Sequence, residues 1–162
     1  MITVRTATID DHPAIVGAIQ EWWGDSRDQA QARELSLLMP RLFLQHFART
    51  SLVAEHDGEL VAFLVGFHSP DRADEAYVHF VGVSPHRRRE RVAEELYERF
   101  LEAARRAGRR RVRAVTSPQN AGSIAFHRAM GFHVETNPAD GGSVFPDYDG
   151  PGQSRVCFVR KL

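Results

Sequence analysis

Arg87, Arg88, Arg89 and Arg91 crowd into five residues, where a strand-like run ending in Val81-Gly82-Val83-Ser84-Pro85 gives way to a helical pattern. The first backbone N–H groups of a helix have no partner within it, and the helix dipole favours negative charge there. Phosphate oxygens suit such a place and guanidinium groups add charged donors, so the segment reads as an anion site that a diphosphate would fill. A solvated basic helix start is the plainer alternative, in a location where cations sit badly. The single cysteine, Cys157, excludes an internal disulfide and a cysteine-rich metal cluster, and no metal site is expected.

The elements that must position this segment follow from periodicity and turn residues. Ile2–Arg5 reads as a short strand. Asp10 or Asp11 can cap a helix with Pro13 in its first turn, and Ile15, Ala18, Ile19 and Trp22 share one of its faces. Gly24-Asp25-Ser26 breaks it. A second helical zone, about Arg27 to His46, has Leu35, Leu38, Leu42 and Phe43 as its apolar face, with Pro40 to kink or split it. Ser51–Glu55 and Leu60–Phe67 are strands, and Asp57-Gly58 between them favours a tight hairpin. Ala76–Val83 is another strand. A helix from about Arg88 to Ala107 follows, stopped by Gly108. Then come a strand, Arg111–Thr116, a short helix, about Ala121–Met130, and closing strands Phe132–Glu135 and Arg155–Lys161. A Gly-, Pro- and Asp-rich loop, Thr136–Gln153, separates those last two. The order βααββ, then βαβαββ, is that of an α/β (α+β) fold with an antiparallel start and a parallel crossover. No linker-like stretch divides it, so residues 1–162 are expected to form one domain.

Composition narrows the function. Apolar residues are 43% and charged residues 26% of 162, as in a soluble globular domain. Lys plus Arg and Asp plus Glu both number 21, which excludes a chain-wide electrostatic grip on nucleic acid. Met1–Asp11 lacks the apolar core of a signal peptide, and the longest apolar run, Val61–Phe67, is far short of a membrane span. A cytoplasmic location with no membrane partner is expected.

Two motifs carry a resemblance. Val83-Ser84-Pro85, then Arg88, two spacers, Arg91, Val92 and Ala93, is similar to the signature of the GNAT superfamily of acyl-CoA-dependent N-acetyltransferases. The stretch Asn120–Phe132, in which Asn120 is followed by two spacers, the small Ser123, the apolar Ile124, the aromatic Phe126 and a closing Gly131-Phe132, resembles that family's second segment. The resemblance covers nearly the whole chain. It implies a GNAT fold: a central mixed, mostly antiparallel sheet of six to seven strands, split at the middle and flanked by about four helices. It implies acetyl-CoA as co-substrate, its pyrophosphate held by Arg88, Arg89, Glu90, Arg91, Val92 and Ala93. It implies Asn120 and Ser123 on the pantetheine arm, and the backbone of Val81 and Val83 on the acetyl oxygen and pantetheine. Arg91 stands where the family has glycine, and His127 where it has the tyrosine that protonates the departing thiolate. A histidine can take that role near neutral pH.

In the family a carboxylate on the strand before the pyrophosphate loop often removes the amine's proton. That position is Tyr77, and His79 lies on the same face of the strand. His79 is the preferred base, and packing within the fold is its plain alternative. The resemblance implies direct attack of a primary amine on the thioester, through a tetrahedral intermediate. Trp22, Trp23, Asp25, Asp28 and Glu34, with Asp140, Asp147, Tyr148 and Asp149 of the late loop, are expected near a small-molecule or peptide acceptor. Polyamines, aminoglycosides, amino acids and protein amines stay open, as does a homodimer.

Two other readings compete. From His86 to Arg113 eleven arginines stand against five glutamates, a local charge that could bind nucleic acid, although the densest basic run, Arg105–Arg113, lacks aromatic residues for base stacking. Arg91 and the absent tyrosine would also suit a catalytically inactive, coenzyme A-binding module.

Overall fold

The structure, a computed structural model, describes residues 1–23 and 27–162. Gly24, Asp25 and Ser26, with the helix break and acceptor role expected there, lie outside the described residues. The backbone forms two compact units: residues 1–67 with 78–103, and residues 68–77 with 104–162.

In the first unit the hairpin forms where Asp57-Gly58 asks for it. Both residues have positive φ, 52° and 80°, which matches a two-residue turn to the twist of its strands. It joins β2 (Leu52–His56) to β3 (Glu59–His68), and β1 (Thr3–Thr6) pairs antiparallel with β2. α1 (His12–Trp22) lays Ile15, Ala18, Ile19 and Trp22 into the core, as its spacing requires. Ile15 and Ile19 are fully buried, each contributing about 1.5–3 kcal/mol. Entry to α1 is held by Arg5, which donates to both Asp11 oxygens (2.9 and 2.8 Å) and to Glu55 (2.7 Å). That guanidinium holds the Asp11 carboxyl below its ordinary range.

Pro40 does split the second helical zone, into α2 (Gln29–Ser36) and α3 (Leu42–His46). The four-residue apolar face does not survive the split. Leu35 and Phe43 pack against the core, whereas Leu38 and Leu42 stay exposed: α2 ends at Ser36, so Leu38 falls in the turn before Pro40 and no single helical face runs through all four.

β4 (Glu75–Val83) contributes Val78–Val83 to this unit. Gly82 is required by packing: a Cβ there would stand 2.6 Å from Phe63 Cε1. α4 runs from Val92 to Arg106, starting four residues later than the sequence suggests. Pro85–Arg87 form a 3-10 turn, and Arg91 takes φ 59°, which no helix accommodates.

In the second unit Glu75–Tyr77 of β4 run parallel to the start of β5 (Arg111–Thr116). β5 pairs antiparallel with β7 (Val156–Lys161) along its length, and β7 with the two-residue β6 (His133–Val134). α5 (Ala121–Ala129) starts under a cap from Asn120, whose Oδ1 accepts from the Ser123 N–H at 3.0 Å. The strand order is β1-β2-β3-β4-β5-β7-β6, mixed and mostly antiparallel, with five α-helices among the described residues, in line with the expected architecture.

The basic run is absorbed into this architecture. Arg109 donates to the carbonyls of Ser69 (2.7 Å) and Ala73 (2.8 Å), Arg111 pairs with Asp74 (3.5 Å), and Arg113 pairs with Glu75 (3.1 Å). Those arginines organise the loop before β4.

Candidate active site

The turn from Pro85 to α4 is more nearly neutral than its sequence suggests. Arg87 pairs with Glu90 (3.2 Å), and Arg91 makes two 2.7 Å hydrogen bonds to Glu94. Arg88 donates to the carbonyl of Trp22 at the end of α1 (3.3 Å), and Arg89 is exposed. Two of the four arginines therefore have carboxylates within one helical turn. What remains for an anion is the charge of Arg88 and Arg89 and the backbone: the first N–H groups of a fifteen-residue helix, reached through a left-handed residue. The Arg91 backbone occupies the region glycine favours. The family's glycine position thus keeps the glycine conformation with an arginine in it, and its side chain lies outward, largely exposed.

Upstream, the half-buried His79 on β4 has its ring stacked on Phe43, centroids 3.9 Å apart and 3° from parallel. Its Nε2 lies 2.5 Å from the Leu38 carbonyl oxygen. A carbonyl only accepts, so Nε2 carries the proton and Nδ1 holds the lone pair of the neutral ring. Trp22 is a core residue stacked on Phe63 (5.9 Å), and Trp23 packs edge-on against Phe80 (5.5 Å). Asp28 caps α2, accepting from the Gln31 N–H at 2.8 Å, and Glu34 is exposed. Of these residues expected by an acceptor, Trp22 and Asp28 have structural work that explains their types.

In the second unit His127 is buried on α5 and stacks on Phe158 (4.4 Å, 6°), with Phe126 and Phe132 edge-on. Its Nδ1 donates to the Ser123 carbonyl (2.8 Å), so in the neutral ring Nε2 holds the lone pair. Burial pushes its pKa down, and the Ser123 bond offsets this only in part. Ser123 and Asn120 thus act together: Asn120 fixes the Ser123 N–H, and the Ser123 carbonyl fixes the ring.

Tyr77 opens on a cavity of about 300 Å³ that lies wholly within the second unit, with Arg72, Arg113, Glu135, Tyr148 and Cys157 among its lining residues. Burial, then the neighbouring Tyr148 and Asp149, push the Tyr77 phenol well up, so it stays protonated and can donate but not serve as a base. Burial also raises the Cys157 thiol, and the Glu135 carboxylate adds to that. Of the late-loop residues expected near an acceptor, Tyr148 reaches this cavity. Asp140 accepts from the Gly142 N–H, Asp147 from the Gly152 N–H, and Asp149 pairs with Arg155. The acidic rim is largely spent on shaping its own loop. Sequence reasoning missed Arg113 and Glu135 as a pair. Arg113 was visible only as part of a basic run, and the alternation of Arg111, Arg113 and Val115 along one strand face was its signal.

Residues 15–132 match the model of the acetyltransferase (GNAT) family. The chain belongs to that family. It is an acetyltransferase, an enzyme that transfers an acetyl group to an amine. The L-2,4-diaminobutyric acid acetyltransferase of Nocardia farcinica is 29% identical over 140 residues, 84% of this chain and 72% of the relative. The PaiA N-acetyltransferase of Thermoplasma acidophilum, solved with coenzyme A, superposes with a TM-score of 0.77 at 15% identity, over 100% of this chain and 99% of that one. The diaminobutyrate acetyltransferase of Paenibacillus lautus, solved with L-2,4-diaminobutyric acid and coenzyme A, gives 0.69 at 20% identity, over 98% and 93% of the two chains. Among the described residues no helix of the acetyltransferase is long and apolar enough to cross a membrane.

Proposed function

We propose that this acetyltransferase moves the acetyl group of acetyl-CoA onto an amine of a small diamino acid, in the cytosol, with residues 1–162 acting as one catalytic domain. The observation that carries the donor assignment is the left-handed backbone of Arg91 ahead of α4. That conformation is the one a glycine at this position of the family motif adopts freely, so arginine has replaced the residue without replacing the turn. The diamino acid acceptor is supported by the relative from Nocardia farcinica, aligned over most of both chains.

The turn Arg88–Ala93 holds the pyrophosphate through backbone N–H groups, with the Arg88 and Arg89 side chains adding charge. Asn120, Ser123 and the backbone of Val81 and Val83 meet the pantetheine arm. Acetyl-CoA supplies an activated acetyl thioester, whose C–S bond breaks as the amide C–N bond forms. His79 takes a proton from the acceptor's ammonium on Nδ1, the nitrogen that its Leu38 tether leaves with the lone pair, and the neutral amine then attacks. Tyr77, kept protonated, donates hydrogen bonds rather than removing protons. His127 returns a proton to the thiolate from its imidazolium form, which burial makes scarce at neutral pH.

The test is release of free thiol from acetyl-CoA with L-2,4-diaminobutyrate, read beside the melting temperature. Acetyl-CoA at about 100 times its Kd is expected to add roughly 2.7 kcal/mol of stability. Stabilisation without turnover on any amine would overturn the enzyme assignment in favour of an inactive coenzyme A-binding module. No stabilisation at millimolar acetyl-CoA would overturn the donor site.

A further inference from the structure

The cavity in the second unit is lined by charges of both signs. Glu75, with its side chain 9% exposed, is shared by Arg113 (3.1 Å), Arg72 (3.7 Å) and Arg111 (3.7 Å). Its charge is fully spent. Glu135 lines the cavity and gives Oε1 to Arg113, leaving Oε2 to accept from a ligand. Arg72 also lines it; its side chain is 68% exposed, and its ion pair is the long one to Glu75, so donors remain for an incoming carboxylate. Tyr77, Phe145 and Tyr148 add aromatic surface.

A ligand for this cavity needs an ammonium group for Glu135 and a carboxylate for Arg72, close together on a small body. About 300 Å³ is the small end of ligand pockets. A polyamine offers the arginines only like charge. A peptide amine lacks an adjacent free carboxylate, and an aminoglycoside is large and polycationic. We propose that this cavity is a binding site for a free amino acid, with Arg72 taking its carboxylate and Glu135 an ammonium group. The inference deepens the acetyl-transfer reading and rests on it only for what happens to the bound amine.

Cys157 makes the site readable without turnover. It is the chain's single cysteine, it is buried, and it lines the cavity, so its alkylation by iodoacetamide reports occupancy. The probes are L-2,4-diaminobutyrate and 1,3-diaminopropane, which has the same two amines and no carboxylate. Diaminobutyrate is expected to slow alkylation in the absence of any donor, and diaminopropane at equal concentration is not. Arg72→Gln should weaken the protection about tenfold or more, Arg72→Lys less, and Glu135→Gln should weaken it as well. In acetyl transfer, wild type should prefer diaminobutyrate in kcat/KM by about tenfold or more, and Arg72→Gln should bring that ratio toward one. Equal protection by both amines, or none by either, overturns the site. Protection by diaminobutyrate with no acetylation of either amine upholds the site while the acetyl-transfer reading fails. Acetylation of both at equal kcat/KM with no protection overturns the site while that reading stands.

Discussion

In the first unit His79 lies face to face with Phe43 and is tethered by Nε2 to a carbonyl; in the second, His127 lies face to face with Phe158 and is tethered by Nδ1. The two rings are held by the same kind of contact through opposite nitrogens. Each tether selects a tautomer, so the neutral rings offer a lone pair at Nδ1 in one case and Nε2 in the other. Burial separates them further. His79 is half-buried, while His127 is buried among three phenylalanines and disfavours its charged form. A half-buried ring with a defined lone pair suits a base. A buried one acts as an acid only from a form its surroundings make costly.

The largest effect should fall on the stacking partners. Phe158→Ala opens a cavity at a fully buried site and should cost about 3–5 kcal/mol in urea unfolding, while Phe43→Ala, half-buried, should cost clearly less. Equal costs would remove the contrast in burial. Next, His79→Ala should lower kcat about 100-fold or more with little change in KM for acetyl-CoA, if its Nδ1 is the base. An unchanged kcat would leave His79 as packing for Phe43. The pH response should separate the rings as well. Because the folded pKa of His127 lies below the unfolded value of about 6.5, the unfolded chain binds more protons and stability falls as pH drops through and below about 6.5. His127→Phe should flatten that acid-side decline in melting temperature, leaving the part due to His68, which burial and Arg109 shift the same way. An unaltered slope would mean that the His127 ring is charged as easily in the fold as out of it. The smallest effect concerns the turn itself. Arg91→Gly relieves a left-handed arginine and should raise the melting temperature by about 2–4 °C, loss of the exposed Glu94 pair offsetting little. A lower melting temperature would show that the ion pair outweighs the backbone.

Short-range chemistry was legible in the sequence because its causes are local. Asp57-Gly58 needs positive φ at both residues, the α1 spacing puts four side chains on one face, Pro40 cannot continue a helix, and the two motifs carry the family on contiguous residues. The start of α4 was misjudged by four residues because helix periodicity does not report one residue's left-handed backbone.

The sequence alone determined the order of elements, the family and which residue types stand at the motif positions. Those depend on propensity, spacing and identity along the chain. Only the tertiary structure decided how the charges are spent. Glu90 and Glu94 answer two arginines of the turn, Glu75 gathers one arginine from its own loop and two from β5, and carbonyls of Leu38 and Ser123 choose a tautomer for each histidine. Several of these pairings join residues more than thirty positions apart. A charge's value is set by what surrounds it in space, and residue spacing along the chain does not contain that distance.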